Sequence, residues 1–266
     1  MLRLRTAARP GRLSVVAALT IILAAALALR LVGSNWDDGA HLHPDERYMS
    51  TVADAIEWPD GIRQYFDVDS SPLSPYNSEK GRDYIYGTLP LFATKLAATV
   101  SGREQYGDLN IVGRRLAAVV DTLTTALVFV VALLLLGRAG PWLAAAGGLA
   151  AATFYAFTVT AIQHAHFFTA DTWLVFWGML TFAFALWALK RAPTGHGSDL
   201  WLLVFLGAAL GLTVASKISG GLVALPVALA LCGRGVIHAR SMGSGAGLFR
   251  LGAEAGTVVV SAYVAF

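Results

Sequence analysis

Apolar runs of near-bilayer length, set apart by short basic loops, dominate the pattern along the chain. Leu13–Leu29 is uncharged and rich in Ala, Leu and Val, and it follows Arg3, Arg5, Arg9 and Arg12. With its flanks it reaches the roughly 20 residues a helix needs to cross a bilayer. A cleaved signal peptide is the rival reading, but its apolar core is usually only about 7–15 residues. The run therefore predicts an uncleaved first span, with the basic tail held on the cytoplasmic side. Further spans are predicted over about 111–136, 141–162, 173–189, 200–215 and 221–232, with a last one from about residue 248. That last run reaches Phe266 without a polar tail, which predicts a fragment of a longer protein.

Between the first two spans lies the one long polar region, residues 33–110. It holds thirteen of the seventeen acids. A helix is predicted to open at Pro44, whose missing N–H costs nothing in a first turn, with Asp45 and Glu46 favoured there by the helix dipole. Asp60 to Ser78, punctuated by proline and serine, is predicted to be irregular. The apolar patch from Tyr86 to Val100 contains Pro90 and Lys95. It is predicted to lie flat in the membrane interface, because only then does every basic loop fall on the cytoplasmic side.

Composition agrees with this pattern. Of 266 residues, 56% are hydrophobic and 14% charged, against about 25% charged in a soluble domain. The fold class expected is an all-α polytopic membrane protein of about seven spans, a single module over residues 1–266. Residues 1–12 form a cytoplasmic tail and 33–110 an extracytoplasmic loop carrying interfacial helices. The plasma membrane is the expected location and membrane lipids the expected surroundings. The net charge of +3 sits in the cytoplasmic loops, so no nucleic-acid partner is expected. Cys232 stands alone, which excludes an intrachain disulfide.

On this topology four polar clusters meet at one membrane face. They are His41–Tyr48; Arg114-Arg115 with Asp121 two turns deeper; Gln163–Asp171; and Ser216–Gly221. Ionisable groups at membrane depth cost roughly 2.5–3.5 kcal/mol each on insertion scales. Their repetition at one face predicts a shared wet cavity. A carboxylate at its mouth can act as general base on an acceptor, and Arg or Lys can neutralise a phosphate. Sugar transfer from a lipid phosphate fits both the charges and their depth. Blander readings stand beside each element. Asp121 could bond a neighbouring helix, Lys217 could reach out to headgroups, and Arg114 and Arg115 could anchor the interface. His164 and His166 with Asp171 could be divalent-metal ligands, a weak pattern on a short loop, and Asp45 is a further candidate ligand beside His166 and Asp171.

His43-Pro44-Asp45-Glu46-Arg47-Tyr48, Tyr86-Gly87-Thr88-Leu89-Pro90, Gly113-Arg114-Arg115-Leu116, Thr169-Ala170-Asp171-Thr172 and Ala215-Ser216-Lys217 occur in this order. Together they resemble the motifs of the C-type (GT-C) membrane glycosyltransferases that use polyprenyl-phosphate sugars. Protein O-mannosyltransferases and lipid A aminoarabinose transferases are the nearest in likeness. That resemblance implies Asp45 as general base with Glu46 its partner. It implies Arg47, Arg82, Tyr86, Arg115 and Lys217 around the donor and its phosphate. His166 and Asp171 would orient the acceptor or the base. The implied donor is a polyprenyl-phosphate sugar, and the acceptor a protein, lipid or glycan. In the aminoarabinose transferases one residue separates the acidic pair from Arg-Tyr, whereas Arg47 here follows Glu46 directly. A transporter, or a lipid-binding or structural membrane subunit without catalysis, is the alternative function. The transporter reading predicts charges near the bilayer midplane.

Overall fold

The computed structural model describes residues 11–74, 76–77, 84–191 and 199–266. Among these the secondary structure is entirely helical. Helix α1 is Arg12–Leu31, and α2 (Pro44–Ala55), α3 (Ile62–Phe66) and α4 (Thr88–Ser101) follow in the long polar region. The remaining helices are α5 (Tyr106–Leu136), α6 (Pro141–Ala156), α7 (Val159–Ala165), α8 (Ala170–Lys190), α9 (Leu200–Ser216), α10 (Ala224–Met242) and α11 (Ser244–Ala265). Five helical stretches are long and apolar enough to cross a membrane, and α6 with α7 makes a sixth, bent by 58°. Helix α9, of 17 residues, is a shorter apolar helix beside them. The protein is an all-α, multi-pass membrane protein.

Two boundaries differ from expectation for physical reasons. Helix α5 starts at Tyr106, a turn earlier than predicted, because Leu109 and Asn110 are buried rather than left in a loop. The span predicted over 141–162 is interrupted at Phe157 and Thr158. The stretch from 60 to 78, expected to be irregular, contains the short helix α3.

Two kinds of packing hold the fold. At the end where the polar region lies, α2 and α4 cover the start of α5. Met49, Val52, Leu91, Ala98, Leu109 and Phe168 form one buried cluster there. In water such burial is favourable by roughly 1.5–3 kcal/mol per large side chain. Between spans, lipid is as apolar as leucine, so close backbone approach takes over. Gly207 and Gly211 form a small-xxx-small stripe on α9. A Cβ on them would come within 2.4 Å of the Val258 carbonyl oxygen and 2.2 Å of that of Ala262 on α11.

Charged residues buried between helices are paired. The Arg30 Nε donates to Asp121 Oδ2 at 2.5 Å, and the Tyr155 hydroxyl donates to Asp121 Oδ1 at 2.7 Å. That group ties α1, α5 and α6 together. At the opposite end of the bundle Arg234 donates to Glu254 at 2.8 Å and 3.0 Å and to the Ala188 carbonyl, joining α8, α10 and α11.

Candidate active site

The acidic stretch folds as its sequence dictates. Pro44 occupies the first turn of α2, and the His43 imidazole caps it by accepting from the Glu46 N–H at 3.4 Å. Adjacent residues on a helix point about 100° apart, so Asp45 and Glu46 face different surroundings. Glu46 is fully buried and Asp45 only partly.

Glu46 points into the protein, toward Arg114. The Arg114 Nε and Nη2 donate to its two oxygens at 2.7 Å and 2.5 Å. The Phe168 N–H also donates to Glu46 Oε1 at 3.0 Å. Arg114 is fully buried and reaches a second carboxylate: Nη1 and Nη2 donate to Asp37 Oδ1 and Oδ2, each at 2.8 Å. Its fifth contact is the Ser34 carbonyl at 2.9 Å, and its guanidinium lies 5.2 Å from the Trp36 ring centre. The Arg114 guanidinium holds the Asp37 carboxyl down to about 2. This group joins α2, the start of α5, the loop after α1 and the turn before α8. Gly113 makes the last junction possible, since a Cβ there would lie 2.2 Å from the Phe168 ring.

Asp45 looks the other way, toward Tyr86. Burial, and then the Asp45 carboxylate beside it, push the Tyr86 phenol above its ordinary value, and Asp171 adds to this. The Lys217 ammonium sits 5.6 Å from the Tyr86 ring centre and 2.8 Å from Asp171 Oδ1. Asp45, Tyr86, Lys217 and Asp171 thus form one chain of neighbours drawn from four separate segments. Lys217 and Asp171 keep about a third of their side-chain surface exposed, so the pair is open to a ligand. Gly87 sets this arrangement. A Cβ on it would come within 1.9 Å of the Ala215 carbonyl oxygen, so only glycine lets Tyr86 come this close to the end of α9.

The other expected site residues lie as follows. Arg115 is exposed, on a face of α5 turned away from Arg114. Arg47 is exposed and donates to the His41 carbonyl at 3.2 Å. Arg82 lies outside the described residues. His166 turns its two ring nitrogens to the carbonyls of Ile162 and Val32, each at 2.7 Å. It fastens α7 to the end of α1. Among the described residues no three His, Cys, Asp or Glu side chains cluster as metal ligands would. Asp121, beyond its partners Arg30 and Tyr155, lines a cavity of about 410 Å³ together with His164 and Asp171.

Sequence reasoning missed Asp37, Arg30 and Tyr155, and it weighted Arg115 over Arg114. The signal for the arginines was present. Asn110, Gly113, Arg114, Ala117, Ala118 and Asp121 recur at three- and four-residue steps and mark the buried stripe of α5. Arg115 instead shares its face with the exposed Val119 and Leu123.

No curated protein and no solved structure gives a match to the chain. Residues 85–237, more than half of the chain, match the family described as dolichyl-phosphate-mannose-protein mannosyltransferase. The match begins just ahead of Tyr86 and takes in Arg114, Asp171 and Lys217, and the Asp45 stretch precedes it. That family consists of glycosyltransferases that take their sugar from a polyprenyl-phosphate carrier. The chain belongs to the dolichyl-phosphate-mannose-protein mannosyltransferase family.

Proposed function

We propose that the protein transfers a hexosyl group from a polyprenyl-phosphate carrier to an acceptor hydroxyl at the extracytoplasmic face of the membrane. Asp45 is the base and Lys217 the phosphate ligand. The reaction is a single displacement. Asp45 removes the acceptor proton as the acceptor oxygen bonds to the anomeric carbon from one side. The bond from that carbon to the phosphate oxygen breaks on the other side, and its electron pair leaves with the phosphate. The product is a glycoside of inverted configuration, and polyprenyl phosphate is released. A fixed cation at the departing phosphate stabilises the charge that develops there. Asp171 holds Lys217 in place, and a protein is the acceptor class that the family description favours.

The observation that carries this reading is the Lys217–Asp171 pair, 2.8 Å apart, set against Tyr86, whose phenol adjoins Asp45. A partly buried carboxylate and a tethered cation thus both adjoin one tyrosine. Glu46 takes no chemical role in this scheme. Engaged by Arg114 and the Phe168 N–H, it positions α2 and so Asp45.

The test is transfer from a radiolabelled polyprenyl-phosphate hexose in membranes containing the full reading frame, wild type against Asp45→Asn. Asparagine keeps the shape and removes the base. Loss of transfer at unchanged protein level supports the assignment. Wild-type transfer by the variant rules Asp45 out as base.

A further inference from the structure

Asp45 and Lys217 are linked through Tyr86, so whatever fixes Tyr86 fixes the distance between base and cation. Asp45 adjoins the Tyr86 phenol, and the Lys217 ammonium lies 5.6 Å from the ring centre. Yet residues 84–87, which carry Tyr86, lie ahead of α4 and outside any helix. No helical ladder holds their backbone. The Ile85 side chain is 67% exposed and contributes little burial. Ordering such a segment costs conformational entropy, so its position has to come from contacts with other elements.

One such contact is the close approach of Gly87 to the Ala215 carbonyl, on the α9 side. Another comes from α2. The Tyr48 hydroxyl oxygen accepts from the Ile85 N–H at 3.0 Å. The Tyr48 ring also meets the Tyr86 ring edge-on, with centres 5.7 Å apart. Tyr48 is half-buried and packs on the cluster around Met49 and Leu91, so its oxygen is carried by a fixed body. The spacing along α2 makes this possible. Tyr48 follows Asp45 by three residues, which sets the two side chains beside each other on the helix surface. Glu46, between them in sequence, turns inward to Arg114. One side of α2 therefore presents both the base and an anchor to the same short segment.

We infer that Tyr48 is a positioning residue for transfer: by holding the Ile85 N–H it sets the Tyr86 ring between Asp45 and Lys217. This deepens the reaction proposed above and rests on it. Tyr48 touches neither donor nor acceptor, and its effect on turnover passes through Tyr86.

The experiment is a double-mutant cycle on turnover in membranes containing the full reading frame, at saturating polyprenyl-phosphate hexose. It compares wild type, Tyr48→Phe, Tyr86→Leu and the double variant. Phenylalanine keeps the packing of the Tyr48 ring and removes the acceptor oxygen. Tyr48→Phe is expected to lower turnover about five-fold, the usual scale for one lost hydrogen bond. In the Tyr86→Leu background, where no ring remains to be placed, it is expected to cost nothing further. A purely structural role would lower turnover equally in both backgrounds, and that result, or no loss in Tyr48→Phe alone, overturns the inference. Ile85→Pro removes the same hydrogen bond from its donor side and serves as the second variant should Tyr48→Phe fold poorly. Hydrogen exchange of the Ile85 amide in the purified protein gives a reading that needs no turnover. It should be faster in Tyr48→Phe while the amides of α5 exchange as in wild type, and unchanged exchange at Ile85 also overturns the inference. Faster exchange at Ile85 in a protein whose wild type transfers nothing would instead sink the transfer reaction and leave Tyr48 as an anchor of this segment alone.

Discussion

Arg114 grips Glu46 with two parallel hydrogen bonds, at 2.7 Å and 2.5 Å, inside a site from which both side chains exclude solvent completely. The same guanidinium holds Asp37. Removing one member of such a pair leaves a buried charge without compensation, at a cost of roughly 3–5 kcal/mol. Arg114→Ala is therefore expected to reduce the yield of monodisperse protein and to lower the melting temperature in detergent steeply. Arg115→Ala, one residue on and exposed, is expected to melt like wild type. Equal losses in both variants would mean that the arginine pair acts as an interfacial anchor, and that the buried grip on Glu46 is not what stabilises the fold.

Gly87 is expected to tolerate no side chain. An added Cβ would lie 1.9 Å from a backbone oxygen of Ala215, and backbone cannot rotate out of the way as a long side chain does. Gly87→Ala must push α4 from the end of α9 and separate Tyr86 from Lys217. Transfer activity should fall at least ten-fold, the usual penalty for a displaced catalytic geometry being larger still, about 100-fold for 1 Å. Kinetics on Gly87→Ala in membranes, normalised to protein level, would check this, and wild-type activity would show that the 86–87 approach does not set the site.

How far the sequence revealed this arrangement depends on the type of signal. Helix existence followed from apolar runs, because a bilayer permits little else. The start of α2 was legible from Pro44 and the two acids after it. That Asp171 and Lys217 sit at one end of the bundle followed from alternating spans. Their ion pair did not, since pairing across α8 and α9 depends on helix rotation, which span prediction leaves free. The partner of Arg114 was equally hidden. Asp37 is one of thirteen acids in residues 33–110, and only the folded loop after α1 brings it to α5. The break at Phe157 and Thr158 carries no proline or glycine, so the usual punctuation was absent and the bend went unforeseen.

Acidification should weaken the loop end through two groups whose signs agree. The Asp37 carboxyl titrates at about 2, below its ordinary 3.8, because Arg114 favours the charged form. Its contribution is fully present above pH 3.8 and disappears as pH falls through about 2. The buried His41 imidazole, stacked 4.3 Å from Tyr106, is pushed below its ordinary 6.5 by burial. The unfolded chain then takes up this proton more readily, so stability is full above pH 6.5 and declines as pH drops below it. Melting temperature in detergent should therefore slope downward from pH 6.5 toward 5, and His41→Gln should flatten that slope. An unchanged slope in the variant would assign the pH dependence to other groups.

Lys217 offers the sharpest separation between chemistry and membrane anchoring. As an anchor reaching for headgroups, it could be replaced by methionine with little kinetic effect, because the apolar stem carries most of that interaction. As the cation at the leaving phosphate, its loss removes a preorganised charge, which costs on the order of 100- to 1,000-fold in turnover. Asp171→Asn would loosen the ammonium, 2.8 Å away, without deleting it, so a smaller loss is expected. In Lys217→Met the carboxylate of Asp171 has no cation left to hold. Adding Asp171→Asn to Lys217→Met should then cost less than it does in the wild-type background, the non-additivity expected of residues in contact. A full double-mutant cycle on turnover, at saturating polyprenyl-phosphate hexose, measures this. Strict additivity would show that the two act independently, and the phosphate role of Lys217 would have to rest on something other than its pairing with Asp171.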